Sequence, residues 1–222
     1  MARLTDVNPE LINVYRCVRD RLGPVIALLE LHQLRHGKDY YYDLRAQHEL
    51  PPVERAARFI YLNKTCFNGL YRENRKGRFN VPMGRYKNPG ICNIEMLTAA
   101  SEVLQRCEIE QEDFTQVLSH VKGKRDFVYL DPPYFPISAT SNFTSYSRDA
   151  FGAAQHEQLR DVCLALAKRG AKVMLSNSNC EFVQELYADR SVFQLQEITA
   201  ARSINSKAKN RGKITELLIT TY

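Results

Sequence analysis

The stretch Phe127-Val128-Tyr129-Leu130-Asp131-Pro132-Pro133-Tyr134 constrains this chain more than any other. Its four apolar, β-favouring residues read as a buried strand. The strand runs straight into an acid, two prolines and an aromatic. Proline has no N–H to donate, fixes its own φ, and biases the residue before it toward extended backbone. The chain therefore leaves its sheet in a stiff, extended hook. Such a hook presents the Asp131 carboxylate and the Pro132 carbonyl as two acceptors, with the Tyr134 ring as a flat wall beside them. That set suits a planar amino group, which two acceptors orient while the ring stacks on the heterocycle carrying it. The plainer reading is a strand ended by an Asp-Pro turn, and the rest of the chain decides between the two.

Around the hook, the periodicity predicts alternating strands and helices. Leu4-Thr5-Asp6 reads as the end of a strand. Asn8-Pro9-Glu10 reads as a helix start, with Asn as N-cap, Pro in the first position and an acid in the first turn. Leu11, Ile12, Tyr15, Val18 and Leu22 form the stripe of that helix, which Gly23-Pro24 ends. Further helices are expected over residues 24–36, 52–64, 93–106, 114–121, 151–168 and 181–187. Strands are expected over 107–110, 172–175, 192–198 and 214–222, with Ser176-Asn177-Ser178-Asn179 ending the second of these. Residues 138–149, rich in Ser and Thr, read as a lid. Alternation closed by a hairpin predicts an α/β, Rossmann-like mixed sheet with an antiparallel edge. In doubly wound folds a carboxylate at a strand end, such as Asp6, holds a pair of ribose hydroxyls; an Asp serving only the turn is the alternative.

Composition sets the class. At 222 residues, 44% hydrophobic and 25% charged, the chain is ordinary for a globular protein. It has no apolar run near the roughly 18 residues a membrane span needs, and its first residues lack the apolar core of a signal peptide. Six scattered cysteines with no Cys-x-x-Cys pair read as reduced thiols of a cytoplasmic protein, not as a disulfide or zinc framework. His32 and His36 lie four apart on a helix but lack Glu or Cys partners at ligand spacing, so no metal is expected. Tyr40-Tyr41-Tyr42 reads as packing. The formal charge of +6 is concentrated. From Arg58 to Lys87 there are eight basic residues against Glu73 alone, and from Arg202 to Lys213 there are five and no acid. Two such segments beside one base-sized pocket favour a phosphate-lined partner.

A second distinctive run is Asn63-Lys64-Thr65-Cys66-Phe67-Asn68-Gly69-Leu70-Tyr71-Arg72, followed by Gly77-Arg78-Phe79-Asn80-Val81-Pro82-Met83-Gly84. Aromatics, amides and arginines alternate here with glycines, the composition of a groove-reading loop. With this run and the Asp131-Pro132-Pro133-Tyr134 hook, the chain resembles the DNA adenine methylase (Dam) family. The resemblance implies a methyl transfer from S-adenosyl-L-methionine to adenine N6 in double-stranded DNA, with GATC as the usual target and no metal. It implies catalytic roles for Asp131, Pro132 and Tyr134, and donor contacts for Asp6, Asp113, Phe114 and Asp131. Asp6 falls in a stretch matching the family's Asp-x-Asn-Pro-x-Leu-Ile. For DNA, it implies Phe67 stacked in the opened helix, Asn68, Leu70 and Arg72 at the target base steps, and Arg202 and Asn205 at the backbone. Residues 1–36 and 93–222 would form the catalytic domain, and residues 37–92 a target-recognition insertion.

One part of the family pattern is not found. The chain's ten glycines are all isolated, so no Phe-x-Gly-x-Gly donor loop occurs, and there is no Trp. In the family's sheet that segment carries the strand between those ending at Asp6 and Asp131. The reading is therefore of an N-terminally truncated methyltransferase fold, with two edges left unpaired and weak or absent donor binding; a missing part supplied from elsewhere and a rearranged closure of the sheet are the alternatives. The alternative function is an inactive DNA-binding remnant of such an enzyme. A methyltransferase for glutamine or RNA is the third reading; those more often carry Asn at the position of Asp131 and do not need the 67–84 reader.

Overall fold

The computed structural model describes residues 1–74, 76–137, 151–201 and 213–222. The expected lid, and Arg202 and Asn205, which were expected to contact the DNA backbone, lie outside them. The chain divides into two compact units, Met1–Asp113 and Phe114–Tyr222. Among the described residues, no helix is long and apolar enough to cross a membrane.

In the first unit, β1 (Ala2–Asp6) pairs in parallel with β2 (Cys107–Gln111), in register from Ala2↔Cys107 to Asp6↔Gln111. Between them run α1 (Pro9–Asp20), α2 (Leu22–Leu34), α3 (Lys38–Ala46), α4 (Pro52–Thr65) and α5 (Ile94–Leu104). α1 begins as its sequence implies: the Asn8 side chain accepts from Glu10 N at 2.9 Å and Leu11 N at 3.3 Å, satisfying two of the N–H groups every helix start leaves open. Gly23-Pro24 does not mark a break, however. The chain turns at Arg21 and both residues fall in the first turn of α2, where a proline's missing N–H costs nothing. Val25, Leu29, Tyr41, Ala56, Ala57, Tyr61 and Leu62 fill the core of this unit. His32 and His36 sit in a tyrosine cluster, their Nδ1 atoms 2.6 Å from Tyr40 OH and 2.9 Å from Tyr61 OH. Burial pushes the His32 pKa down to about 4, so the ring is neutral.

The second unit opens with a 3₁₀ turn at Phe114–Gln116 and α6 (Val117–His120). It continues with β3 (Phe127–Leu130), α7 (Ala153–Lys168), β4 (Lys172–Ser178), α8 (Glu181–Leu186), β5 (Gln194–Ala201) and β6 (Lys213–Thr220). The sheet order is β3-β4-β6-β5, with β3 parallel to β4 and β6 antiparallel to both β4 and β5. α7 buries Leu159, Val162, Cys163 and Leu166 in the same cluster as Val173, Leu175, Leu217 and Ile219. The molecule is thus the mixed α/β protein its alternation predicts, with an antiparallel hairpin at one edge. Among the described residues, β1 and β3 are each the edge strand of their own sheet.

Candidate active site

The hook begins where β3 ends. The last paired residues of β3 and β4 are Leu130 and Leu175, so the next step along each strand brings Asp131 beside Ser176. Ser176 donates its hydroxyl proton to Asp131 Oδ1 at 2.8 Å. Tyr129 OH lies 3.2 Å from the same Ser176 oxygen; with the serine proton committed to the carboxylate, Tyr129 is the donor. The Asp131 side chain remains exposed and, among the described residues, is in no ion pair. Among the described residues it is an accessible acceptor fixed through one oxygen.

Downstream of the two prolines, the hook is held by the end of β4. Asn177 is fully buried, and its Oδ1 accepts from Phe135 N at 3.0 Å and Ser178 N at 2.8 Å. Ser178 donates to the Phe135 carbonyl at 2.7 Å. Both backbone groups of Phe135 are satisfied by side chains, because a segment carrying Pro132, Pro133 and Pro136 cannot join the ladder. The Phe135 ring stacks on Phe182 with centroids 4.1 Å apart. Tyr134 donates to Glu216 Oε2 at 3.2 Å. Burial raises the Tyr134 pKa, helped by Glu216 and Asp131 nearby and opposed by the neighbouring Ser176 hydroxyl, and keeps the phenol protonated. Ser176-Asn177-Ser178 end the strand as expected, and all three prove to be buried. The signal that marks them is three small hydrogen-bonding side chains directly after a buried apolar run.

In the first unit, Asp6 ends β1 and is half-buried. Its Oδ1 accepts from Asn8 N at 2.7 Å. Burial pushes its carboxyl pKa up, opposed by that N–H. Asp113 follows β2 by two residues, so it lies at the same C-terminal edge of the parallel pair; the Glu112 N–H donates to the Asp6 carbonyl at 3.2 Å there. Phe114 belongs to the second unit, where its ring meets the edge of Phe151 at 5.7 Å.

The reader residues also fall in the first unit, on a loop tied down at several points. Phe67 N donates to Pro82 O and Gly84 N to Thr65 O, each at 2.8 Å, and a bridge joins Cys66 to Met83. Gly84 is required: a Cβ there would lie 2.8 Å from the Cys66 carbonyl oxygen. Phe67 stands 45% exposed at the head of a 3₁₀ turn. Asn68 follows at φ 54°, a left-handed conformation that asparagine tolerates better than most residues. Leu70 packs against the core, while Arg72 is exposed with its Nε 2.7 Å from Asn80 Oδ1. The structure brings these four together on one loop. The basic run is not wholly a surface feature, since Arg58 is turned inward at 8% exposure and donates to the Leu44 and Arg45 carbonyls.

Comparison with known proteins places this architecture. A type II methyltransferase of Lactococcus lactis subsp. cremoris, M1.LlaDCHI, is 43% identical over all of this chain and 79% of its own length. The type II methyltransferase M.MjaIII of Methanocaldococcus jannaschii is 40% identical over 99% of this chain and 79% of its own. The DNA adenine methylase of Escherichia coli K12 is 34% identical over 97% of this chain and 77% of its own. The family model matches residues 2–204, a span that takes in the reader loop, the hook and β4. The chain therefore belongs to the D12 class of N6 adenine-specific DNA methyltransferases, a family of enzymes.

Proposed function

We propose that this chain transfers a methyl group from S-adenosyl-L-methionine to N6 of an adenine extruded from duplex DNA, within the sequence GATC. The observation that carries the reading is the hook: Asp131, exposed but fixed by Ser176, with Tyr134 three residues on and its hydroxyl bonded to Glu216. The Asp131 carboxylate and the Pro132 carbonyl accept the two N6 protons. The Tyr134 ring stacks on the purine. Adenine's exocyclic lone pair is delocalised into the ring, so N6 is a weak nucleophile. Two acceptors aimed out of the purine plane favour a pyramidal nitrogen and recover that lone pair, which makes positioning the main source of rate. The proton lost from N6 leaves after transfer, through Asp131 or water.

The chain's own residues fit the methyl donor. Asp6, half-buried with one oxygen held by the Asn8 N–H, can accept from ribose hydroxyls through the other. Asp113, at the same edge, can accept from an adenine amino group, and Phe114 follows it in the chain to supply an apolar ring. When bound, the donor supplies an electrophilic methyl group on a sulfonium.

Phe67 fills the gap left by the extruded base, and Asn68, Leu70 and Arg72 read the neighbouring steps, with residues 37–92 as the recognition insertion. Arg202 and Asn205 contact the backbone. The test is tritium transfer from labelled donor into duplexes carrying GATC or a permuted site, with Asp131→Ala alongside. The reading expects incorporation on GATC adenine that Asp131→Ala abolishes while duplex affinity is kept. Undiminished transfer by Asp131→Ala would overturn it.

A further inference from the structure

The first unit holds a cavity of about 230 Å³ that the methyl-transfer reading does not use. Its lining includes Glu10, Arg55, Arg58, Tyr71, Lys76 and Arg78, and its charges do not cancel. Glu10 is taken by Arg55, with which it forms a two-point ion pair. Glu73, also on the wall, accepts from Tyr71 OH. That leaves Arg58, Lys76 and Arg78, which form no ion pair among the described residues.

Arg58 is the telling member. It is 8% exposed, and its two acceptors, the Leu44 carbonyl at 2.9 Å through Nε and the Arg45 carbonyl at 2.7 Å through Nη2, are both neutral. Its Nη1 donates to nothing among the described residues. A buried cation is costly unless an anion pairs with it. A guanidinium with two nitrogens anchored to backbone and the third free is preorganised to donate to an oxyanion. The surroundings are positive on balance, with Glu10 near enough to favour the charged Arg58 and Glu49 acting against the cations at His48. The His48 pKa is lowered first by burial and then by Arg78 and Arg58. Lys76 and Arg78 are presented by a tight turn in which Asn74 Oδ1 accepts from both of their backbone N–H groups, at 2.9 and 3.2 Å. Phe59, Tyr71 and Phe79 give an aromatic wall, with neighbouring centroids 5.2 and 5.8 Å apart.

We propose that this cavity is a binding site for a phosphate group, held by Arg58 from within and by Lys76 and Arg78 at the mouth. The phosphate is either free, as inorganic phosphate or a small phosphate ester, or part of a DNA backbone; the chemistry is the same.

The test is calorimetric titration of the full chain with inorganic phosphate at low ionic strength, with equal potassium chloride as control. Saturable, one-site binding is expected, weakened about tenfold or more in Arg78→Ala and Lys76→Ala by loss of a charge-assisted bond. Both are surface changes that leave the fold alone. Arg58→Met should abolish binding; because Arg58 also caps α3, its far-ultraviolet dichroism and Tm are compared with wild type, and the surface variants stand as the independent arm. Absence of saturable phosphate heat in wild type, or unchanged affinity in both surface variants, overturns the proposal. A second arm assigns the source. Competition of phosphate with a non-target duplex, and a salt slope reduced by about one in Arg78→Ala, identify a backbone phosphate; independent binding identifies a free ligand. No methyl transfer is read at any point, so the outcome is separable from that of the proposed activity.

Discussion

Ser176 and Asp131 are joined by a 2.8 Å hydrogen bond one residue beyond the last paired position of β3 and β4. The acceptor assigned to adenine N6 is therefore aimed by strand register, through the neighbouring strand. Ser176 touches no substrate in this arrangement; it is a positioning residue. A hydrogen bond to a charged group contributes about 1.5–3 kcal/mol, and each 1.36 kcal/mol is tenfold in rate. Ser176→Ala is accordingly expected to lower kcat by about ten- to a hundredfold while KM for duplex DNA stays within about twofold. Ser176→Thr, which keeps the hydroxyl, should recover much of the loss. Steady-state kinetics on one duplex decides it, and a loss confined to KM would contradict the assignment.

Asn177 should matter for stability more than for contact with any ligand. It is fully buried, and its side-chain oxygen serves the N–H groups of Phe135 and Ser178. Asn177→Leu keeps the branched heavy-atom skeleton but has no acceptor, leaving two donors unmet at about 1–3 kcal/mol each. The expected loss is about 2–6 kcal/mol, read as a lower urea midpoint at unchanged slope. Asn177→Asp keeps the acceptor and should cost less above the carboxylate's pKa.

These residues also show where the sequence stops being legible. Local chemistry announced the Asn8 cap, β2 and the hook, because each rests on residues adjacent in the chain. Gly23-Pro24 misled, since a proline in a helix's first turn and a proline after a helix look alike until the turn at Arg21 is seen. Ser176-Asn177-Ser178 read as a strand end, but not as buried anchors of the hook, because their partners lie 42 or more positions away in the chain. Arg58 read as one more surface cation, although α4 faces it inward toward the end of α3. In each case the deciding partner is tertiary, so no window along the chain contains it.

Phe67, proposed to fill the gap left by the extruded base, is not needed to support the fold. It is 45% exposed, and its backbone N–H, not its ring, ties the loop to Pro82. Phe67→Ala should leave Tm nearly unchanged. Stacking of an aromatic on a base contributes about 1–3 kcal/mol, so kcat/KM on duplex DNA should fall by about five- to a hundredfold. The loss should shrink on a duplex carrying a mismatch at the target adenine, where less stacking must be replaced. Asn68→Gly offers a companion test, since glycine accepts the φ of 54° freely and the change deletes only the side chain. An altered preference among flanking bases with unchanged Tm is the expected result.

His156 makes stability depend on pH in a direction that can be stated. It is fully buried against Phe135 and Phe151, with Nδ1 3.4 Å from the Asn177 amide and Nε2 without a partner among the described residues. Burial pushes its pKa from 6.5 down to about 4. The unfolded chain therefore binds more protons than the folded one between those values, and stability falls as pH drops from about 6.5 toward 4. The ceiling is on the order of 3 kcal/mol for this residue, and His32, shifted the same way by the same cause, adds to the same slope. Urea unfolding at pH 7.5, 5.5 and 4.5 should show the decline in wild type and a shallower one in His156→Leu. The variant loses ground at pH 7.5, where its weak bond to Asn177 is gone, and recovers it relative to wild type at pH 4.5, where the native ring resists protonation. Parallel declines in the two proteins would mean that the ring is charged inside the fold.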